Sequence, residues 1–501
     1  LAELLSKFDD GAVNPEKEAT TWERFHEAEA LCFETNQRLT ALGFGPYQQA
    51  LSLARKIADR ILGPFDWDLA AKFFDFGPGA TTRVPRRRAD AAYKFSGNPE
   101  TTIGCAILAD AAIRHTPYWT SSISELPPEE GLGYCKIVPG NRIITVPKNY
   151  KTDRTIAIEP DMNMYVQKGI GAVMRQRLRL AGCNLDDQTR NQRLAQIGSL
   201  CGTLATIDLS MASDTVSRVL TSMMIREDWL LALEQVRSPF GVLPSGEKIF
   251  YQKFSSMGND TTFPLESLIF YSLALAWCHI HGEEVSRVSV YGDDIILPSA
   301  VAESFSGLLS YCGFKVNSKK SYWAGPFRES CGKHYFQGHE ISPFYVKTKV
   351  RHLTDLFLLH NNLQRWLWRS WDLLSETEIQ GVEKLLCTLR NLAPSDWRRQ
   401  RLPDGYGDGA FVGVFDQLHL EPHPDGWEAW QIEVFLPLSE VEYVDVPGLL
   451  PKAMRCLYRR PRRPLVGYVY SPDETEFSVY PARETAARTV NIIVPQYALG
   501  Y

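Results

Sequence analysis

No stretch of the chain is apolar for long enough to cross a bilayer. The longest such run, Leu268 to Cys278, falls short of the ~20 residues that a spanning helix requires. No charged leader followed by an apolar run opens the sequence, so a soluble, intracellular protein with no membrane partner is expected. Cysteine is sparse, ten residues scattered through 501, which excludes a disulfide scaffold and points to a reducing compartment. An excess of positive charge is missing too: 54 Lys and Arg stand against 59 Asp and Glu, a formal net charge of -5. That balance excludes a protein that grips nucleic acid over its whole outer surface, because phosphate binding is largely electrostatic. Any nucleic-acid site must be a local basic channel. Internal repeats and low-complexity tracts are also lacking. Residue 1 is Leu and not Met, so the natural start is expected upstream.

What is present is a globular composition, 44% hydrophobic, with length for roughly three or four domains. Cations cluster at Arg83, Arg86, Arg87 and Arg88 and again from Arg455 to Arg463, although most charge runs are only solvated faces. The first hundred residues carry apolar positions at helical spacing, such as Phe25, Ala28, Leu31 and Cys32. Short β-prone runs follow from Ile137 to Pro160, and a helix is expected from about Met162 to Leu180. From His352 on, helices rich in Leu and Trp lead into a Pro- and Arg-rich end.

The acidic residues carry the chemistry. Val285 to Tyr291 and Ile295 to Leu297 are β-prone runs joined by Gly292-Asp293, a two-residue turn with Gly first, which sets Asp293 and Asp294 at a hairpin tip. Alone, that would be a solvated turn. Strands this apolar imply a buried sheet, where adjacent carboxylates repel unless a cation neutralises them. Upstream, a short apolar strand from Leu204 delivers Asp208 at its end, and Asp214 follows. In isolation Asp208 reads equally as a helix N-cap and Asp214 as a helix-dipole partner. Together, Asp208, Asp293 and Asp294 could supply oxygen ligands for two Mg²⁺ ions ~4 Å apart. Between them, the polar loop Ser255 to Thr262 with Gly258 would allow close backbone approach to a template or ribose, or simply cap the following helix.

In this order Asp208, the Gly258 loop and Gly292-Asp293-Asp294 resemble motifs A, B and C of viral RNA-dependent RNA polymerases. More narrowly, Ala205 to Thr215, Met257 to Asp260, Phe263 to Phe270, Phe327 to His334, Val146 to Arg154 and Glu159 to Met164 resemble the replicase catalytic subunits of small positive-strand RNA bacteriophages, the leviviruses. The strong resemblance covers about Val146 to Val346. It implies an α+β right hand: an N-terminal helical region at 1–75 and fingers at 76–203. The palm follows at 204–350, with a fingers insertion near 216–254, and the thumb and C-terminal region at 351–501. It implies template-directed RNA synthesis from NTPs on an RNA template in the cytoplasm of a bacterial host. Magnesium is the implied metal, two ions per site with Mn²⁺ as a substitute. By the same resemblance Lys148, Lys151 and Arg154 are the motif F cations that hold the triphosphate, and Lys315, Lys319 and Lys320 fall where motif D supplies a lysine near pyrophosphate. Host partners are implied too: elongation factors Tu and Ts and a small-subunit ribosomal protein.

Two departures stand out. Ser213 occupies the place of the second motif A aspartate, with Asp214 one position later, and Glu266 stands where motif B often has Asn. Ribose selection would then fall to Asp214, Ser256 or Asn259, beside Gly258. The Gly241 to Lys248 segment mimics a phosphate loop, but Glu247 replaces its lysine, so a turn between strands is expected. A reverse transcriptase is the rival enzyme; Gly292 after Tyr291 and the motif F cations point instead to RNA synthesis. A non-catalytic scaffold that binds RNA or host proteins is the other rival, and all three aspartates argue against it.

Overall fold

The most apolar segment of the chain is also its most enclosed helix. In the computed structural model Thr262–Ile280 is helical and buried on nearly every side, from Leu265 and Leu268 round to Phe270 and Ala274, as expected for a helix that is hydrophobic all round. Pro264 is tolerated because it lies in the first turn, where the missing N–H has no intrahelical partner anyway. By length and composition this helix could span a membrane, unlike the shorter run expected from sequence, but 78% of its most apolar window is buried inside the protein. The structure describes residues 4–8, 15–148, 152–347, 349–418, 421–422, 424, 429–437, 446–458 and 487–495. Lys151 and the basic residues 459–463 therefore lie outside the described residues.

The elements that position the site run as follows. Helix α1 is Pro15–Leu42. Strands β1 (Asn141–Pro147) and β2 (Asp153–Ile158) form an antiparallel hairpin in which Val146 faces Arg154. Helix α2 (Thr189–Cys201) leads into β3 (Leu204–Ile207) and the short β4 (Leu209–Ser210). Strands β5 (Phe240–Val242) and β6 (Lys248–Phe250) flank the false phosphate loop and join β1 and β2 in a four-stranded sheet. The enclosed helix is α3; β7 (Ser289–Tyr291), β8 (Asp294–Pro298), β9 (Lys315–Val316), β10 (Phe327–Ser330) and β11 (Lys333–Phe336) follow. Helices α4 (Leu353–Ser370) and α5 (Glu376–Asn391) pack on one another further on.

At the centre, β8 lies between β7 and β3, antiparallel to both, with Ile295 opposite Ile207. Every residue of β3 is buried, which explains its mainly apolar sequence, with Thr206 the one polar side chain. The main core runs beneath this sheet, joining α3 to Ile207, Val290, Ile295 and Leu297. Helix α1 lies against β2, and its Phe25, Ala28 and Cys32 are buried at the helical spacing that the sequence shows, with Leu31 half-buried.

Candidate active site

Asp208 follows the last buried residue of β3, and continuing the β3–β8 register by one residue sets it beside Asp294. It caps no helix: the 3-10 turn Ala212–Asp214 begins after Met211, which turns the chain with a left-handed φ of 55°. Its main chain is held by Ser321, whose Oγ accepts from Asp208 N at 3.1 Å and donates to Asp208 O at 3.2 Å. Asn317 Nδ2 donates to the Asp208 carboxylate at 2.8 Å, and Asn317 N donates to its carbonyl at 2.9 Å.

Tyr291 pairs with Asp294 across a two-residue turn, with Gly292 at φ 61°. Only the first central residue has positive φ, the pattern of a type II′ turn. A Cβ at Gly292 would come within 2.5 Å of the Phe263 ring, so glycine is required by space as well as by backbone. Phe263 meets Tyr291 edge-on at 5.1 Å, and Gly292 N donates to Ser267 Oγ at 3.1 Å. The start of α3 is thus moulded to the acidic turn.

Asp208 and Asp293 open into one cleft of about 600 Å³, shared with Lys148, Arg154, Lys315 and Lys320. Asp294 does not line it. Its carboxylate instead accepts from Ser330 Oγ at 3.3 Å, and its carbonyl accepts from Asn191 Nδ2 at 3.0 Å. Of the motif D candidates, Lys319 is not on the cleft wall. Lys320 is there and pairs with Glu329 at 3.5 Å.

The three aspartates are short of positive charge. Burial pushes Asp208 up to about 6, with Lys320 opposing and Asp293 adding to the rise. Burial and the neighbouring Asp293 push Asp294 up to about 7. Asp293 is raised by burial in spite of Lys148, Arg154 and Lys320. Among the described residues no three acidic, His or Cys side chains converge tightly enough to hold a metal by themselves.

The Gly258 loop differs from the sequence expectation. Gly258 has φ 117°, and a Cβ there would lie 2.1 Å from the carbonyl of Ala157, while Ala157 N donates to Met257 O at 2.7 Å. The close approach is to the chain's own β2, not to open solvent. Asn259 Oδ1 accepts from Thr261 N and Oγ1 at 2.8 and 2.7 Å, a local loop-bracing role. Ser256 is buried beside Tyr251. Of the three ribose candidates only Asp214 reaches the main cleft. It is tied to the buried Lys253 at 2.8 Å, and Lys253 also meets Glu29 of α1 at 3.5 Å. Glu266 is pushed up to about 8 by burial and by Asp293, and a hydrogen bond with Ser213 opposes the rise, so the two departures in sequence meet in space.

Sequence reasoning missed Asn191, Lys253, Asn317, Ser321 and the whole of α1 as parts of this site. Polar residues on a helix, after a loop or in a turn carry no periodic signal.

A family model described as "RNA replicase, beta-chain" matches residues 1–421, further in both directions than the motif-bearing segment. The "RNA-directed RNA polymerase subunit beta" of Escherichia virus Qbeta is 41% identical over 421 residues, which cover 82% of this chain and 68% of the relative. The "RNA-directed RNA polymerase beta chain" of Escherichia phage MS2 is 47% identical over 231 residues, 46% of this chain and 42% of that one. Among solved structures, the BmCPV RNA-dependent RNA polymerase at its elongation state overlaps with a TM-score of 0.41 and 13% identity, covering 68% of this chain and 32% of that polymerase. With the acidic turn, a cleft lined by both acids and cations, and a family match over most of its length, the chain belongs to the RNA replicase beta-chain family of bacteriophage RNA-directed RNA polymerases.

Proposed function

We propose that the chain replicates a viral RNA genome by nucleotidyl transfer in the cleft floored by Asp208 and Asp293. The observation that carries this reading is that both carboxylates, delivered by distant segments, share one cleft with Lys148, Arg154 and Lys320. In the reaction the 3′-hydroxyl of the growing strand attacks the α-phosphate of a base-paired NTP, and pyrophosphate leaves. Lys148 and Arg154 stand on the β1–β2 hairpin and bind the triphosphate, the guanidinium through a two-pronged grip. Lys315 and Lys320 face the cleft on the side of Asp208 and neutralise the departing pyrophosphate.

The acidic residues fit a divalent cation, because each is raised by burial and Asp208 and Asp294 are raised further by their acidic neighbours. Asp208 and Asp293 would hold it, with Asp294 assisting through the turn. Two magnesium ions, or manganese in their place, when bound supply activation of the hydroxyl and neutralisation of the leaving group. Asn317 and Ser321 keep Asp208 oriented, and Asp214 is the residue best placed to meet the ribose.

The relative from Qbeta is named as a subunit, and this chain too is proposed to work within a multi-subunit complex in the host cytoplasm, with elongation factors Tu and Ts and a small-subunit ribosomal protein as the partners to test. The direct experiment is incorporation of labelled NTPs on a primed RNA template by the wild type, Asp208→Ala and Asp293→Ala. Both variants should be silent. Wild-type incorporation by either would overturn the assignment.

A further inference from the structure

Helix α1 lies outside every segment marked by the motifs, yet it forms one wall of the catalytic cleft. It is fixed at several points. Lys253 pairs with Glu29 on α1 and with Asp214, and its ammonium stands 4.6 Å from the centre of the Phe25 ring. Cys32 Sγ donates to Asp214 O at 3.4 Å, and Asn36 accepts from Val219 N at 2.9 Å while donating to Gln252 O at 2.9 Å. Near the start of the helix, Lys17 pairs with Asp153 at 2.7 Å, and Thr21 Oγ1 accepts from Asp153 N at 3.2 Å.

Arg24 comes three residues after Thr21, on the same side of the helix. Thr21 is bound to Asp153 at the start of β2, and Arg24 and Arg154 both line the cleft. Arg24 is exposed on the cleft wall and makes no ion pair among the described residues. Lys148, Arg154 and Lys315 of the same cleft likewise form no ion pair among the described residues, whereas three other cations nearby are engaged. Lys17 is engaged by Asp153, Lys253 by Asp214 and Glu29, and Lys320 by Glu329. Glu27 is an acidic residue of α1 on the same wall, outweighed there by Arg24, Lys148 and Arg154. A guanidinium held beside other cations on a rigid helix is repelled until an anion arrives, and its fork matches phosphate oxygens.

We propose that Arg24 is a phosphate-binding residue of this cleft, contributed by a helix that carries none of the polymerase motifs. The proposal rests on reading the cleft as the polymerase site. The phosphate would come from the incoming triphosphate or from the RNA backbone, which share the chemistry.

The test uses the full chain with a primed RNA of fixed sequence and ATP, comparing wild type, Arg24→Gln and Arg24→Lys. Arg24→Gln should raise the KM for ATP by about tenfold, the size of one charge-assisted contact, with the loss falling on KM more than on kcat, and should weaken inhibition by inorganic triphosphate. Arg24→Lys should recover part of it. If the RNA backbone is the source, RNA affinity instead falls by a similar factor with a shallower salt dependence, which also supports the proposal. Unchanged KM, triphosphate inhibition and RNA affinity in Arg24→Gln would overturn it, as would a lowered melting temperature with phosphate binding intact. Wild type alongside Asp293→Asn separates the two readings: activity in Asp293→Asn sinks the catalytic assignment, whereas a silent Asp293→Asn beside an unaltered Arg24→Gln sinks only Arg24.

Discussion

Two kinds of aspartate face the same cleft. Asp214 arrives with its counter-ion, Lys253, which is 1% exposed and also reaches Glu29. Asp208 and Asp293 have no such dedicated partner: the cations near them line the cleft from other segments, and burial leaves both carboxylates raised. An acid with a built-in cation is held in place, whereas an acid short of positive charge is prepared to receive one. Asp208 and Asp214, six apart in sequence, thus differ in whether a counter-ion is built in beside them.

The largest effect that would break this contrast concerns the second kind. Asp293→Asn keeps the shape of the turn and removes a charge, so incorporation should fall by at least ~10³-fold, as when a preorganised charge-stabilising group is lost. Melting should change little, which a thermal scan beside the primed-template assay will check. For the first kind the outcome should invert. Lys253→Met leaves Asp214 and Glu29 facing each other without their shared cation, and breaking a buried ion pair from one side costs ~3–5 kcal/mol. Denaturant titration should register that loss.

The pH dependence sharpens the contrast further. Asp208 and Asp294 have folded values raised to about 6 and about 7, so their protonated forms favour the fold. That contribution is complete below their unfolded value of 3.8 and is lost as pH rises through 6 and 7. Mg²⁺ binds the ionised forms and should restore what is lost, so its effect on melting should be larger at pH 8 than at pH 5. Asp293→Asn should shrink that difference. Lys253 has a partner already, and its raised value comes from Asp214 and Glu29 overcoming burial, so Mg²⁺ should leave its contribution alone.

Much of the floor of the cleft was legible in the sequence because its physics is local. A mainly apolar strand leads to Asp208, and Gly292 sits where a two-residue hairpin requires positive φ; both are visible without a fold. The supports were not legible, because they join residues far apart. Asn317 reaches Asp208 across 109 positions, and Asn191 reaches Asp294 across 103. Nothing in periodicity marks such pairs. At Gly258 glycine announced a close approach, and only the fold shows that Ala157 of the same chain fills the space where a Cβ would stand. The lysines from 315 to 320 were likewise ambiguous until β9 and its following turn divided them.

That division gives the smallest and most discriminating prediction. Lys319 and Lys320 are adjacent and chemically identical, and both are exposed, yet only Lys320 lines the cleft. Lys320 is the main cation opposing the rise of Asp208, and it shares its charge with Glu329. Lys320→Ala should therefore lower kcat/KM by roughly three- to tenfold, about 1 kcal/mol of transition-state stabilisation. It should also move the acid limb of the pH–rate profile upward, because Asp208 loses the cation that favours its ionised form. Lys319→Ala should stay within about twofold of wild type in both, as expected for an exposed charge beyond the cleft. Glu329→Gln frees Lys320 from its partner and should shift the acid limb the opposite way. Equal losses in the two lysine variants would mean that general positive charge matters here and the position of a single ammonium does not, and the distinction between held and waiting acids would then rest on Lys253 alone.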